Sequence, residues 1–176
     1  MVLDILVSEL RAAIPTLRAG ERVRLSGQVY TSRDAAHARL MTLLDSGESL
    51  PYPLRDACIY YCGATPAPKG LPIGACGPTT AGRMDAYAPR LYDLGLAATI
   101  GKGERSAEVL EAICRNVGVY FCAVGGAGAL AARCVTSCKT IAFEDLGCES
   151  VKLLDLHELP LVVGADACGG NIFVQK

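Results

Sequence analysis

Tryptophan is missing from this sequence, and its aromatic fraction of 6% is small beside a hydrophobic fraction of 51%. Excess charge is missing too, since 17 basic and 18 acidic side chains leave a formal net charge of −1. A nucleic-acid binder needs a basic stripe to displace phosphate counterions, so that class is excluded. The charges are spread along the chain and form no acidic or basic tail. No stretch reaches the ~18–20 apolar residues of a membrane-spanning helix. The longest uncharged run, Asn116 to Ala132, falls short and is interrupted by Gly118, Gly125, Gly126 and Gly128. The N-terminus, MVLDILVSELR, carries Asp4 inside its apolar run and has no basic leader, so it does not read as a signal peptide. Neither the G-x-S-x-G elbow of serine hydrolases nor the C-x-x-C knuckle of zinc sites occurs. There is no internal repeat and no linker, and the apolar content excludes disorder. The expectation is one cytoplasmic α/β domain spanning residues 1–176, long enough for a single buried core.

Cysteine, by contrast, is abundant, with 9 residues. The count is odd, no secretion signal precedes it, and Cys58 (in ACIYYC) and Cys122 (in VYFCAV) sit in apolar runs. Such cysteines behave as small buried hydrophobes, so the disulfide reading is rejected. Cys58/Cys62 and Cys134/Cys138 form C-x-x-x-C pairs that would converge only on helical segments, and buried thiol is preferred to metal ligation.

Periodicity and punctuation predict helices over Ser8–Ile14, Asp34–Asp45, Asp85–Leu94 (disturbed at Pro89) and Arg105–Arg115, and one running from Gly125-Gly126 to near Ser137. Strands are predicted over Arg22–Tyr30, Ile59–Cys62, 97–100, Val119–Val124, Thr140–Phe143, Val151–Leu156, Leu161–Gly164 and Asn171–Val174. Early alternation followed by a strand-rich end predicts a mixed sheet. Residues 63–83, rich in proline and glycine, are too long for an idle connection.

Polar clusters gather at strand ends and glycines. One is Thr31-Ser32-Arg33-Asp34-Ala35-Ala36-His37, the next is Gly74 to Asp85, and the third is Ile100-Gly101-Lys102-Gly103-Glu104-Arg105. Gly77-Pro78-Thr79-Thr80 leading toward a helix would offer free N–H groups and a hydroxyl cap to an anion. Arg33 and Arg83 are planar forks suited to carboxylate, and Lys102 is a compact positive charge. Three such cations in a nearly neutral chain point to a small anion with more than one carboxylate or phosphate. Taken singly, each is also readable as an ordinary solvated charge. His37 is readable as a ligand, a proton carrier or, preferably, a helix residue bonded to Asp34, while His157 reads as structural. A competing signal is Gly126-Ala127-Gly128-Ala129-Leu130-Ala131 after a strand, with Asp145 further on, which matches a dinucleotide fingerprint. Close strand–helix packing explains the same small residues, and too little chain remains for a full doubly wound sheet.

In this order the clusters resemble the β subunit of two-subunit class I fumarases and L-tartrate dehydratases. The matching segments are GQVYTSRDAAHARL, IYYCGATPAPKGLPIGACGPTTAGRMDAY, LGLAATIGKGERS, VYFCAVGGAGALAA and AFEDLGCESVKLLDLHELPLVV. The resemblance implies a three-layer swivelling β/β/α domain with a mixed sheet, and a hydro-lyase acting on a small dicarboxylate: fumarate and malate first, tartrate next. It also implies that Arg33, Arg83 and Lys102 hold the substrate and that Thr79 removes the C3 proton. Asp34, His37 and Thr80 stand as secondary candidates. A [4Fe-4S] cluster is implied on a partner α subunit, with none bound by this chain, and an open iron of it would polarise the leaving hydroxyl. A hetero-oligomer is implied, and a homodimer in isolation is compatible with it. The alternative from another class is a stand-alone small-anion binding or regulatory domain, with nicotinamide-dinucleotide binding third.

Overall fold

The computed structural model describes residues 1–174, so Gln175 and Lys176, the end of the expected domain, lie outside the described residues. The strands β1 (Val2–Leu6), β2 (Arg22–Thr31), β3 (Cys58–Tyr60), β4 (Ala98–Gly101), β5 (Val119–Cys122), β6 (Val135–Ala142) and β7 (Val151–Ala165) form one 7-stranded sheet in the order β1-β2-β3-β4-β5-β7-β6. Neighbours from β1 to β5 run parallel, whereas β7 runs antiparallel to β2, β5 and β6. The sheet is therefore mixed, as the strand-rich end predicted. Because β7 also pairs with β2, the ring β2-β3-β4-β5-β7 closes on itself, with β1 and β6 added outside it.

Strand alternation then builds two cores. Cys58 and Tyr60, Ala98 and Ile100, and Val119 and Phe121 point into the core shared with Val23, Leu25 and Val29 of β2 and Leu154, Leu161 and Val163 of β7. Ile59, Tyr61 and Tyr120 point the other way, into a core shared with the helices α2 (Asp34–Asp45), α3 (Ala88–Asp93) and α4 (Ala107–Arg115). The result is three layers, a β2/β7 ribbon, the β3–β5 sheet, and helices. The α2 helix buries Ala36, His37 and Leu40, a helical stripe. Ser106 caps α4, with its hydroxyl accepting from the Val109 N–H at 3.5 Å.

Several elements differ from the sequence reading. The apolar start, for which periodicity predicts no element, is β1, and the helix α1 (Leu10–Ala13) after it is flanked by 3-10 turns, one of which includes Pro15. Pro89 does not disturb α3 but sits in its first turn, where a missing N–H costs nothing, so the helix starts at Ala88 rather than Asp85. The last helix, α5 (Gly128–Arg133), is short, and Ser137 lies in β6, because Val135–Ala142 pairs with β7. The two strands expected around Pro160 are one, β7, which stays continuous through a kink at Glu158 (φ 52) and carries the exposed His157. Residues 171–174 give only an isolated bridge between Ala165 and Asn171. The dinucleotide reading fails on topology. The strand after α5 pairs antiparallel with β7 instead of lying parallel to β5, and Asp145 is ion-paired with Arg39.

Candidate functional site

Parallel β2, β3, β4 and β5 bring their C-terminal ends to one edge, the place where open parallel sheets meet their ligands. Arg33 leaves the end of β2, Gly63 lies just past β3, Lys102 just past β4, and Gly125 just past β5. The long 63–83 loop returns to this edge through a bridge between Cys62 and Pro78 and a second between Thr80 and Lys102. The Thr79 N–H donates to the Tyr61 carbonyl at 2.6 Å, and the Lys102 N–H donates to the Thr79 carbonyl at 3.1 Å. Thr79, buried, is thus laced between the ends of β3 and β4, with Thr80 exposed beside it.

The anion cradle expected from Gly77-Pro78-Thr79-Thr80 lacks two of its parts, the hydroxyl cap and the helix, while the Gly77 and Thr80 N–H groups donate to no backbone carbonyl among the described residues. The N–H of Thr79 is already engaged, the Ala81 N–H donates to the Lys102 carbonyl at 2.7 Å, and the chain continues into a 3-10 turn, Ala81–Met84, rather than an α-helix. The charged side chains at this edge, Lys102 excepted, pair with one another. Arg33 Nη2 lies 2.7 Å from Glu149 Oε1, and Arg83 Nε donates to Asp34 Oδ1 at 2.9 Å. Asp34 Oδ2 sits 2.8 Å from Arg83 Nη2 and 3.4 Å from Arg33 Nε, but neither contact has hydrogen-bond alignment. Glu149 Oε2 also accepts the Ala35 N–H at 3.0 Å, satisfying a donor in the first turn of α2. Lys102 enters no ion pair among the described residues. The two acids against the three cations leave one net positive charge, and Lys102 carries it.

A glycine at 63 admits Arg33, whereas the one at 125 leaves Lys102 an ordinary contact. A Cβ at Gly63 would stand 2.8 Å from Arg33 Nη1, and one at Gly125 would stand 3.4 Å from Lys102 Cδ. His37 lies behind the site rather than in it. Fully buried, its Nδ1 contacts Ser32 Oγ at 2.9 Å and the Arg33 carbonyl at 3.3 Å, not Asp34, and Nε2 has no partner. Burial pushes its pKa down to about 4, so the ring is neutral near pH 7 beside Tyr61 and Tyr87.

Sequence reasoning did not single out Glu149, Gly63 or Gly125. Glu149 lies within the AFEDLGCESVKLLDL segment, but no local spacing connects it to Arg33, because only the fold brings them together. The cysteines do not form a cluster-binding set. Cys58 lies in β3 with Cys62 two residues past its end, Cys134 follows α5 and Cys138 lies in β6, so neither pair sits on a helix, and no group of three or more ligating side chains occurs among the described residues. Burial pushes the Cys58 thiol up, and a hydrogen bond with Cys76 together with burial pushes Cys62 up, both of which oppose the thiolate a metal needs, while the same contact lowers Cys76. Buried thiol describes Cys58, Cys62 and Cys76, whereas Cys148 and Cys168 are exposed.

Arg83 is half-exposed and Thr80 exposed, while Arg33 is a quarter exposed and Thr79 buried, so the edge opens to solvent mainly on the Arg83 and Thr80 side. An apolar groove of about 290 Å³, including Pro78, Ala123, Val124 and Leu130, adjoins it.

Residues 2–176 match the family described as Fumarase C-terminus. The anaerobic class I fumarate hydratase of Escherichia coli is 34% identical over 171 residues, covering 96% of this chain and 31% of that protein. Fumarate hydratase 2 of Leishmania major is 33% identical over 169 residues, 95% of this chain and 30% of that protein. The Methanocaldococcus jannaschii protein named "Putative L(+)-tartrate dehydratase subunit beta" is 33% identical over 170 residues, 92% of this chain and 86% of that one. This chain thus spans less than a third of the length of those two fumarate hydratases but most of the length of the tartrate dehydratase subunit.

Proposed function

This chain belongs to the Fumarase C-terminus family, and on that premise we propose that it is the β subunit of a hydro-lyase acting reversibly on a small dicarboxylate. Fumarate and malate are the first choice, after the fumarate hydratases, and tartrate the next. Residues 1–176 act as one unit in this reading. The observation that carries it is that Arg33 and Arg83 meet at Asp34, while Lys102 is laced by its backbone to a Thr79 held on both sides, all at one sheet edge. A dicarboxylate needs cations at two ends. Lys102 supplies an unpaired charge, and Arg83 supplies a fork whose carboxylate partner, Asp34, yields to or shares with the substrate.

Thr79 is the group assigned to remove the C3 proton. A free threonine hydroxyl is a poor base, so the role requires its pKa to be lowered. Lys102 is joined backbone to backbone with Thr79 and pairs in register with Thr80, which makes it the cation nearest in the fold to this segment. Asp34 and Glu149 hold the arginines, Thr80 borders the pocket, and His37 supports it from behind.

Because the cysteines here do not fit a cluster, we assign the family's [4Fe-4S] centre to a partner α subunit. This chain's share of the chemistry is binding, orientation and proton transfer. A partner also fits the exposure of Arg83 and Thr80, since a site open to solvent on that side excludes water only when another surface covers it. The test is to purify the chain together with its α subunit, separate the two, and assay iron and hydration in each fraction and in the mixture. Iron should follow the α fraction, and activity should require both. Hydration by the isolated chain, or iron bound stoichiometrically to it, overturns the assignment.

A further inference from the structure

The third polar cluster holds a second cation, Arg105, that takes no part in the open face. Its side chain is only 1% exposed, and that of its partner Asp85 only 14%. A buried guanidinium is costly unless its donors are matched, and here they are matched in three directions. Nε donates to Asp85 Oδ1 at 2.7 Å, Nη1 to Thr99 Oγ1 at 3.0 Å, and Nη2 to the Tyr61 hydroxyl at 3.3 Å. The group also lies over the Tyr120 ring, 4.9 Å from its centroid.

Each partner leads to a site segment. Asp85 is two residues beyond Arg83, at the end of the turn that carries it, and its Oδ2 accepts the Ser106 N–H at 2.6 Å. Tyr61 is the residue whose carbonyl holds the Thr79 N–H. Tyr120 donates its hydroxyl to the Gly103 carbonyl at 2.8 Å, next to Lys102. A single buried cation therefore ties together the turn bearing Arg83, the strand end holding Thr79 and the loop bearing Lys102. None of these contacts crosses to the β2/β7 ribbon.

We propose that Arg105, through Asp85 and Tyr61, is a positioning residue that fixes the separation of Arg83, Thr79 and Lys102. The inference deepens the dicarboxylate reading and rests on it for its catalytic meaning, but its mechanical content is measurable without activity. Lysine cannot replace the guanidinium, because one ammonium on a flexible stem does not meet three partners in a plane.

The experiment is amide hydrogen exchange on the full chain, comparing wild type, Arg105→Met, Arg105→Lys and Tyr61→Phe. The Thr79, Ala81 and Lys102 amides, bonded among the strand ends, should exchange at least about tenfold faster in Arg105→Met, with partial recovery in Arg105→Lys. Amides of β2 such as Val23 and Val29 should keep their wild-type rates. If Arg105→Met does not fold, Tyr61→Phe, which deletes one acceptor, carries the same expectation at smaller amplitude. Unchanged protection at residues 79–102, or equal loss in β2, overturns the proposal. In the α/β assembly the same variants should lower kcat/KM for the dicarboxylate with partial recovery in Arg105→Lys, and wild-type kcat/KM in Arg105→Met contradicts a positioning role. A wild-type assembly without hydratase activity would refute the functional reading while leaving the exchange result to judge this one.

Discussion

Replacing Gly63 by alanine adds one methyl at the point where Arg33 crosses the end of β3. Gly63 is outside the left-handed region, so alanine brings no backbone strain. Its Cβ would stand 2.8 Å from Arg33 Nη1, 3.1 Å from Cδ and 3.3 Å from Cζ. Against an ordinary contact near 3.5 Å the shortfall is roughly 0.7 Å, and a mobile side chain will give way before the strand does. Arg33 then leaves its place beside Glu149, where the contact is 2.7 Å. Losing that partly buried pair costs about 1 kcal/mol, and removing a glycine from the unfolded chain returns about 0.4–1 kcal/mol. Tm should therefore fall by no more than about 2–4 °C. Turnover responds differently, since misplacing a binding group by about 1 Å can cost on the order of 100-fold. Gly125→Ala is the control. Its Cβ would make an ordinary 3.4 Å contact with Lys102 Cδ, so kinetics should stay within about twofold of wild type. Steady-state kinetics of the α/β assembly with thermal melts of the subunit decide the matter. Wild-type kinetics in Gly63→Ala would refute the placement of Arg33 in the site.

Thr79→Val keeps shape, so KM should hold while kcat, and exchange of the substrate's C3 proton with solvent, fall together by about 100-fold or more. A raised KM with kcat unchanged makes Thr79 a binding residue instead. Arg83→Lys should change stability by less than about 1 kcal/mol, because the Asp34 pair is exposed, yet raise KM about tenfold through loss of the fork. Equal KM in the two forms removes Arg83 from carboxylate binding. His37 titrates at about 4 when folded against 6.5 unfolded, so the unfolded chain takes the proton first. Its contribution is whole above pH 6.5 and is lost as pH falls toward 4, a swing of about 3 kcal/mol. Urea titrations of wild type and His37→Gln at several pH values should show that slope only in the wild type, and identical slopes contradict it.

The β2 strand, α2 and α4 were legible in the sequence because periodicity and capping agree with the tertiary structure there. Helix α2 is found over Asp34–Asp45 as predicted, and Ser106 caps α4. Where tertiary pairing overrides local signals, the reading failed. Pro160 suggested a break, but β7 continues past it because β2 and β5 continue to pair with it. Val135–Ala142 comes after helix-forming alanines but is claimed by β7. At the candidate site, the sequence marks Arg33, Arg83 and Lys102 as cations at strand ends, and the role of Thr79 comes from the family resemblance. Of their partners, Asp34 was legible beside Arg33, and the others were not. Glu149 reaches Arg33 only through β7 folding back on β2, and Arg105 resembles Lys102 in sequence but is buried on the other side of the same loop.

The claim that the open strand-end face binds the dicarboxylate is tested most directly by Lys102→Ala in the α/β assembly. Lys102 is half-buried and has no ion pair among the described residues, so its removal should leave Tm within about 2 °C of wild type. Losing a charge-assisted bond worth about 1.5–3 kcal/mol should lower kcat/KM for fumarate hydration at least about tenfold. Wild-type kcat/KM in the folded, assembled Lys102→Ala protein would contradict the account.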